Sequence, residues 1–136
     1  HTPLGDREDT TQPVPVSVQI TPSPFGLDTS TVFLHYRESG EDTFRTEPLE
    51  VIPGSPVFVA TIPAPNRSVV VQYYFSAADT IPRTGYLPKN APDSLFTFSI
   101  GEDQIPPQIT HNPMEDQSIL QDSIEFTARV TDNIGV

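Results

Sequence analysis

The strongest constraint on the fold of this chain is an internal repeat. The opening His1-Thr-Pro-Leu-Gly-Asp6 returns about 110 residues later as His111-Asn-Pro-Met-Glu-Asp116, with His, Pro, a long apolar residue and Asp in the same register. The alternating apolar residues Val14, Val16, Val18 and Ile20 fall at the same offset on Ile124, Phe126, Ala128 and Val130. A repeat of this length is close to a common domain size, so the sequence predicts one whole module followed by the start of another.

The composition favours an all-β fold. The chain contains 16 prolines, which lack a backbone donor and are expected at edges, turns and linkers. Its apolar residues are mainly Val, Ile, Phe, Leu and Tyr, which suit a pleated and half-buried surface. There is no cysteine, so neither a disulfide framework nor a thiolate metal site can form, and a hydrophobic core must supply the stability.

Alternating apolar and polar residues predict a series of short strands. Residues 31–37 place Val32, Leu34 and Tyr36 on one face, with His35 on the solvent face. The longest apolar run, Val69 to Asp79, indicates a central strand that anchors the core. We predict about seven strands in the first module: the opening His-x-Pro segment, then 14–20, 31–37, a polar edge strand over 44–52, 57–62, 69–79 and 95–100.

Short strands separated by turn residues at these intervals are the signature of a Greek-key β-sandwich. Tyr36-Arg37, Ile62-Pro63 and the run Tyr73-Tyr-Phe-Ser-Ala-Ala-Asp79 resemble the Ig-like and fibronectin type III-like modules of bacterial secreted multidomain proteins. The stretch from Ile105 to Met114 is similar to the linker and first strand that open each copy in such arrays. The chain lacks the tryptophan and paired cysteines of true immunoglobulin domains.

The resemblance implies a domain organisation. Residues 1–103 are expected to form a complete sandwich, residues 104–108 a Pro-rich linker, and residues 109–136 the first two strands of a second module. Two strands are too few to bury a sandwich core, so the second segment needs more chain or a partner. We therefore expect the partners to be neighbouring Ig-like modules, in the same chain or in adjacent subunits.

Modules of the family that the chain resembles serve mainly as spacers and stalks. The resemblance thus implies a non-catalytic spacer in a longer tandem-repeat protein, outside the cell or on its surface. One alternative is a fibre subunit that exchanges strands through residues 109–131, with Ile124, Phe126, Ala128 and Val130 as the inserted apolar face. A second alternative is an adhesin or carbohydrate-binding module that uses the polar loop from Thr80 to Asp93, with Arg83, Tyr86 and Lys89 as its contact residues.

Charge and motifs exclude several other functions. With 18 acidic and 7 basic side chains, the net charge of −11 repels nucleic acid and anionic lipid, and no apolar run is long enough to enter a membrane. The chain has no nucleophile elbow, zinc-protease motif or phosphate-binding glycine loop, so we expect no enzyme activity and no cofactor. Acidic pairs such as Glu102-Asp103 leave calcium at the joint between modules as an open alternative, and Asn66-Arg-Ser68 fits the N-glycosylation pattern in a surface turn.

Overall fold

Every regular element in the described part of the chain is a β-strand. The computed structural model describes residues 1–102, 107–113 and 127–132, and the strands in these ranges pair antiparallel. The predicted all-β class is confirmed. The chain divides into two compact units, His1–Glu102 (unit 1) and Asp103–Val136 (unit 2), which are described separately below.

Two antiparallel sheets make up unit 1. Its strands are β1 (Val14–Gln19), β2 (Leu27–Glu38), β3 (Arg45–Pro48), β4 (Glu50–Val51), β5 (Val57–Ile62), β6 (Val69–Asp79), β7 (Thr84–Leu87) and β8 (Phe96–Ile100). One sheet has the order β1-β5-β4. In the other, β3, β2 and β6 lie in that order, and the far edge of β6 pairs first with β8 and then with β7.

Alternating side chains from both sheets form one core, as expected for a β-sandwich. The strand predicted over residues 14–20 is confirmed as β1, and Val14, Val16 and Val18 are all buried. The strand predicted over residues 69–79 has the bounds of β6, the most extensively paired strand. The core is completed by residues that the pattern placed inward, together with residues whose inward face the pattern left open: Val32, Leu34, Tyr36, Leu49, Phe58, Ile62, Val71, Tyr73, Phe75, Phe98 and Ile100.

The single edge strand predicted over residues 44–52 is wrong. Residues Arg45–Pro48 pair with β2, whereas Glu50–Val51 pair with β5 in the other sheet. Between them Leu49 is buried in the core, and its backbone N–H donates to the carbonyl of Val32 (2.9 Å). The chain therefore changes sheets at Leu49, directly after a proline that cannot donate to a ladder.

The stretch from Thr80 to Asp93 is also more regular than the predicted loop. Thr84–Leu87 form β7, which pairs with Phe75–Ala78 of β6. All four β7 residues are exposed, so they carry no inward apolar pattern that sequence reasoning could detect. The strand forms because it returns next to the long β6, whose edge extends beyond the end of β8.

The opening segment lies beside β8 but forms almost no strand. Arg7 makes an isolated parallel bridge to Ile100, and residues 1–6 belong to no strand. Arg7 donates its N–H to Ser99 O (3.0 Å), and Gly101 donates to Arg7 O (2.8 Å). The segment runs in the same direction as β8.

Two described strands belong to unit 2. These are β9 (Gln108–His111) and β10 (Ala128–Thr131), which pair antiparallel with His111 opposite Ala128 and Ile109 opposite Val130. Gln108, placed in the predicted linker, is the first residue of β9.

Candidate functional site

The repeated motif, His-x-Pro-Leu-x-Asp in its first copy, connects the start of unit 1 to its core, and we call residues 1–7 the N-terminal latch. His1 Nδ1 lies 2.6 Å from the carbonyl oxygen of Ser17, and His1 Nε2 lies 2.8 Å from the hydroxyl of Tyr73. The same hydroxyl accepts the backbone N–H of Leu4 (3.0 Å). Further along, the Asp6 carboxylate accepts the backbone N–H of Ser99 (2.6 Å). The latch thus connects both sheets through side chains that recur in the motif.

The hydrogen bonds of His1 suit the neutral tautomer that carries its proton on Nδ1. A backbone carbonyl can only accept, so Nδ1 donates to Ser17. Tyr73, which is fully buried (0 % exposed), accepts from Leu4 and donates its own proton to Nε2. Burial raises the pKa of the Tyr73 hydroxyl, which keeps it in the protonated form that this arrangement needs. Both ring nitrogens are therefore occupied by structural bonds rather than turned toward a ligand.

A group of aromatic rings lies on the outward side of the β2–β6 sheet, and we call His35, Phe44, Tyr74 and Tyr86 the aromatic face. The rings of His35 and Tyr74 are stacked with centroids 4.4 Å apart. Phe44 packs edge-on against Tyr74 at 5.1 Å, and Tyr86 lies 6.4 Å from Tyr74 on the other side. Strand alternation sends Tyr73 and Phe75 inward and Tyr74 outward.

His35 is more constrained than a solvent-facing strand residue would be. Its Nε2 lies 2.8 Å from the hydroxyl of Ser76, and its Nδ1 lies 3.1 Å from the hydroxyl of Thr46. Partial burial beneath these neighbours lowers the pKa of His35 below its ordinary value. The imidazole is consequently held neutral and fixed as one element of the aromatic face.

The three predicted ligand contacts of the loop do not converge. Arg83 is bound by Asp79 through Nη2 (2.6 Å) and lies over the ring of Phe25, 4.8 Å from its centroid. Tyr86 is 46 % exposed and belongs to the aromatic face. Lys89 is exposed beyond the end of β7. Arg83 and Tyr86 line one cleft, and Lys89 is not among its lining residues.

That cleft, which we call the seam, opens between the two sheets at their edges. It has a volume of about 370 Å³ and is lined by the end of β1 on one side and by β7 on the other. Ile20, Leu27 and Ala77 contribute partly buried apolar surface that continues the core. No sequence pattern predicted the seam, because its walls come from segments far apart in the chain.

Three ion pairs join charged side chains of unit 1: Arg45–Glu41, Arg67–Glu38 and Arg83–Asp79. Arg45 holds the Glu41 carboxylate through two hydrogen bonds (2.7 and 2.8 Å), which lower the pKa of Glu41. Bonds from Arg83 likewise lower the pKa of Asp79. Within residues 1–102, 107–113 and 127–132, no three His, Asp or Glu side chains lie close enough together to hold a metal ion.

Asn66 lies in an exposed turn, as expected for an acceptor of a glycan. Its φ of 55° is left-handed, and its side chain donates to Ala64 O (3.2 Å). Its backbone N–H donates to Thr10 O (2.9 Å). The amide nitrogen that a glycan would modify is thus at the surface.

Two residues of the predicted exchange strand pair within their own chain. Ala128 and Val130 belong to β10, opposite His111 and Ile109 of β9. Ile124 and Phe126, the other two residues of that apolar face, lie outside the described residues.

Comparisons with known proteins place the chain in no family. No protein-family model matches it. No significant match appears among curated proteins. Among the described residues, no helix is long and apolar enough to cross a bilayer.

Proposed function

We propose that this chain is a non-catalytic spacer segment of an extracellular tandem-repeat protein, and that unit 1 is an Ig-like or fibronectin type III-like Greek-key module. The two antiparallel sheets around one core support the module type. The direction of the chain through unit 1 carries the functional proposal. In a spacer, each module must receive the chain at one end and pass it on at the other.

Unit 1 meets this requirement. The ring of His1 lies 5.1 Å from that of Phe96, the first residue of β8, and Arg7 bridges Ile100, its last residue. The chain therefore passes along the same side of the sheet twice in one direction, and it leaves unit 1 beyond the end of β8. Modules built in this way can be joined in series without a return connection.

The repeat gives independent support. The latch residues His1, Leu4 and Asp6 have equivalents at His111, Met114 and Asp116. In unit 1 the corresponding atoms contact β1, β6 and β8. A second copy of the motif is what a second module with the same contacts would require.

The spacer is tested by making arrays of one, two and three copies of residues 1–110 and measuring small-angle scattering and mass in solution. We expect monomers whose maximum dimension grows by a constant increment per copy. The 136-residue chain could instead self-associate, and lose this association when residues 108–136 are deleted. That result would contradict the spacer and support the strand-exchange fibre.

The aromatic face favours carbohydrate binding as a second candidate function. Sugar rings stack on exposed aromatic side chains, and Tyr86 beside Tyr74 offers such a surface. Next to it, Arg37 donates Nε–H to Gln72 (2.9 Å) and lies over Phe44, 4.4 Å from the ring centroid, so planar polar groups flank the rings. A spacer can carry this face outward along the array.

A glycan array followed by calorimetry tests the second candidate. Binding is expected to be lost in Tyr86→Ala and retained in Phe25→Ala, which removes another exposed aromatic side chain away from this face. The absence of any glycan ligand for the unaltered chain, or equal loss in both variants, would count against carbohydrate binding.

A further inference from the structure

An open strand edge borders the seam of unit 1. Within residues 1–102, β1 pairs with another strand along one side only, with β5. Ile20 donates its N–H to Pro56 O (3.0 Å) on the β5 side. Because the N–H groups of successive strand residues point to opposite edges, those of Gln19 and Thr21 point to the open edge.

Only the end of β1 that borders the seam can accept another strand. Pro15 lies an even number of residues from Gln19, so its backbone nitrogen faces the open edge as well. That nitrogen carries no hydrogen and cannot donate to a neighbouring strand. Proline there blocks pairing without harming the β5 ladder. Nothing similar blocks Ser17, Gln19 or Thr21, and Ser17 O already accepts a hydrogen bond from His1.

Unit 2 shows which kind of segment pairs at the equivalent edge. There β9, with the sequence Gln108-Ile-Thr-His111, lies against β10 with Ile109 opposite Val130. Through the repeat, His111 corresponds to His1, Ala128 to Val18 and Val130 to Ile20. The register of unit 2 therefore places His1 opposite Val18, and the observed bond from His1 to the adjacent Ser17 agrees with it.

The apolar seam can accommodate the side chain that this register would place in it. The residue two positions upstream of His1 would stand opposite Ile20 and share its inward face. That position corresponds to Ile109, which is 71 % exposed in unit 2. In unit 1 an isoleucine there would meet the apolar walls contributed by Phe75, Ala77 and Leu87.

We propose that the seam is a strand-acceptor site, and that its occupant is an extended Gln-Ile-Thr segment running directly into His1 from the preceding module. The linker between modules would then be the first strand of the next one, with its isoleucine filling the seam. The proposal rests on the tandem arrangement proposed above and adds the partner of this edge.

The test adds Pro-Gln-Ile-Thr, a copy of residues 107–110, directly before His1 of the 136-residue chain. We expect amide exchange at Gln19 and Thr21 to slow at least about tenfold, since both N–H groups become paired. The thermal midpoint should rise by about 4–8 °C. A matched extension with Asp in place of the isoleucine should give neither effect, because a carboxylate would enter an apolar cleft.

A second variant keeps the test decisive. Gln19→Pro removes the donor on the open edge while leaving the β5 side intact, as Pro15 does four residues earlier. In the extended chain this variant should abolish protection at Thr21. The proposal would be overturned if the folded chain that carries the extension and keeps Gln19 exchanged the Gln19 amide as fast as the chain without the extension.

Two other outcomes also count against it. Concentration-dependent protection of Gln19 without any extension would make a second copy the occupant of the seam. Monomeric, elongated arrays in which the Gln19 amide still exchanges freely would contradict the strand-acceptor site but agree with the spacer. Arrays that associate into large assemblies would instead contradict the spacer.

Discussion

The buried hydroxyl of Tyr73 joins two residues of the N-terminal latch. Tyr73 is buried and bonds to both Leu4 and His1. Tyr73→Phe leaves the Leu4 N–H and the His1 ring nitrogen without that partner, so we expect a loss of about 1–3 kcal/mol in the free energy of unfolding by urea. Tyr86→Phe, which alters an exposed hydroxyl, should change it by less than about 0.5 kcal/mol. Equal effects of the two variants would show that the latch adds no stability.

The protonation of His35 gives unit 1 a pH dependence. Burial holds its pKa in the folded state below the unfolded value of 6.5, so the unfolded chain binds the proton more readily. The stabilisation of unit 1 by neutral His35 is fully present above the unfolded pKa. It is lost as pH falls through 6.5 toward the folded pKa. Urea unfolding at about pH 7.5 and 5.5 should show this loss, reduced in His35→Gln. His111→Gln, an exposed position in unit 2, is the control, and the same slope in all three proteins would contradict the assignment.

At the scale of elements, the turn after β8 depends on a glycine. Gly101 has a φ of +121°, and a Cβ added there would come within 2.6 Å of Ser68 Cα. Gly101→Ala should therefore destabilise unit 1 by about 2 kcal/mol or more, measured by thermal and urea unfolding. Gly5→Ala is the matched control, because a Cβ at Gly5 meets nothing within 4 Å. An alanine at position 101 that costs no more than one at position 5 would show that the backbone adjusts freely.

Elements with an alternating inward face were predictable, and elements without one were not. Val14 to Gln19 and Val69 to Asp79 each present a buried row, so their pattern records which face packs. Thr84–Leu87 have no buried side chain, and Arg45–Val51 change sheets midway, so no single period describes them. The aromatic face and the seam arise from contacts between distant strands, which periodicity along one strand cannot record. The repeated motif marked the start of each module, whereas the contact of His1 with Tyr73 could be found only in three dimensions.

For the whole molecule, the described residues of unit 1 form a hydrophobic core of their own. All 14 buried residues of its hydrophobic cluster lie between Val14 and Ile100. A chain that ends at Glu102 should therefore keep its thermal midpoint within about 2 °C of that of the 136-residue chain, by calorimetry. A fall of more than about 5 °C would mean that residues 103–136 support the first module.

The parallel course of the latch and β8 also determines how unit 1 would respond to tension. If a stalk is stretched, the two neighbouring segments are drawn in opposite directions along their common axis. The bonds from Arg7 to Ser99, from Gly101 to Arg7 and from Ser99 to Asp6 would then bear the load together in shear, instead of opening one after another. We expect single-molecule pulling to give a lower rupture force for Asp6→Ala than for the unaltered chain, with Asp42→Ala as a control outside this contact. The short motif at the start of each repeat would thus give a stretched array its resistance to unfolding.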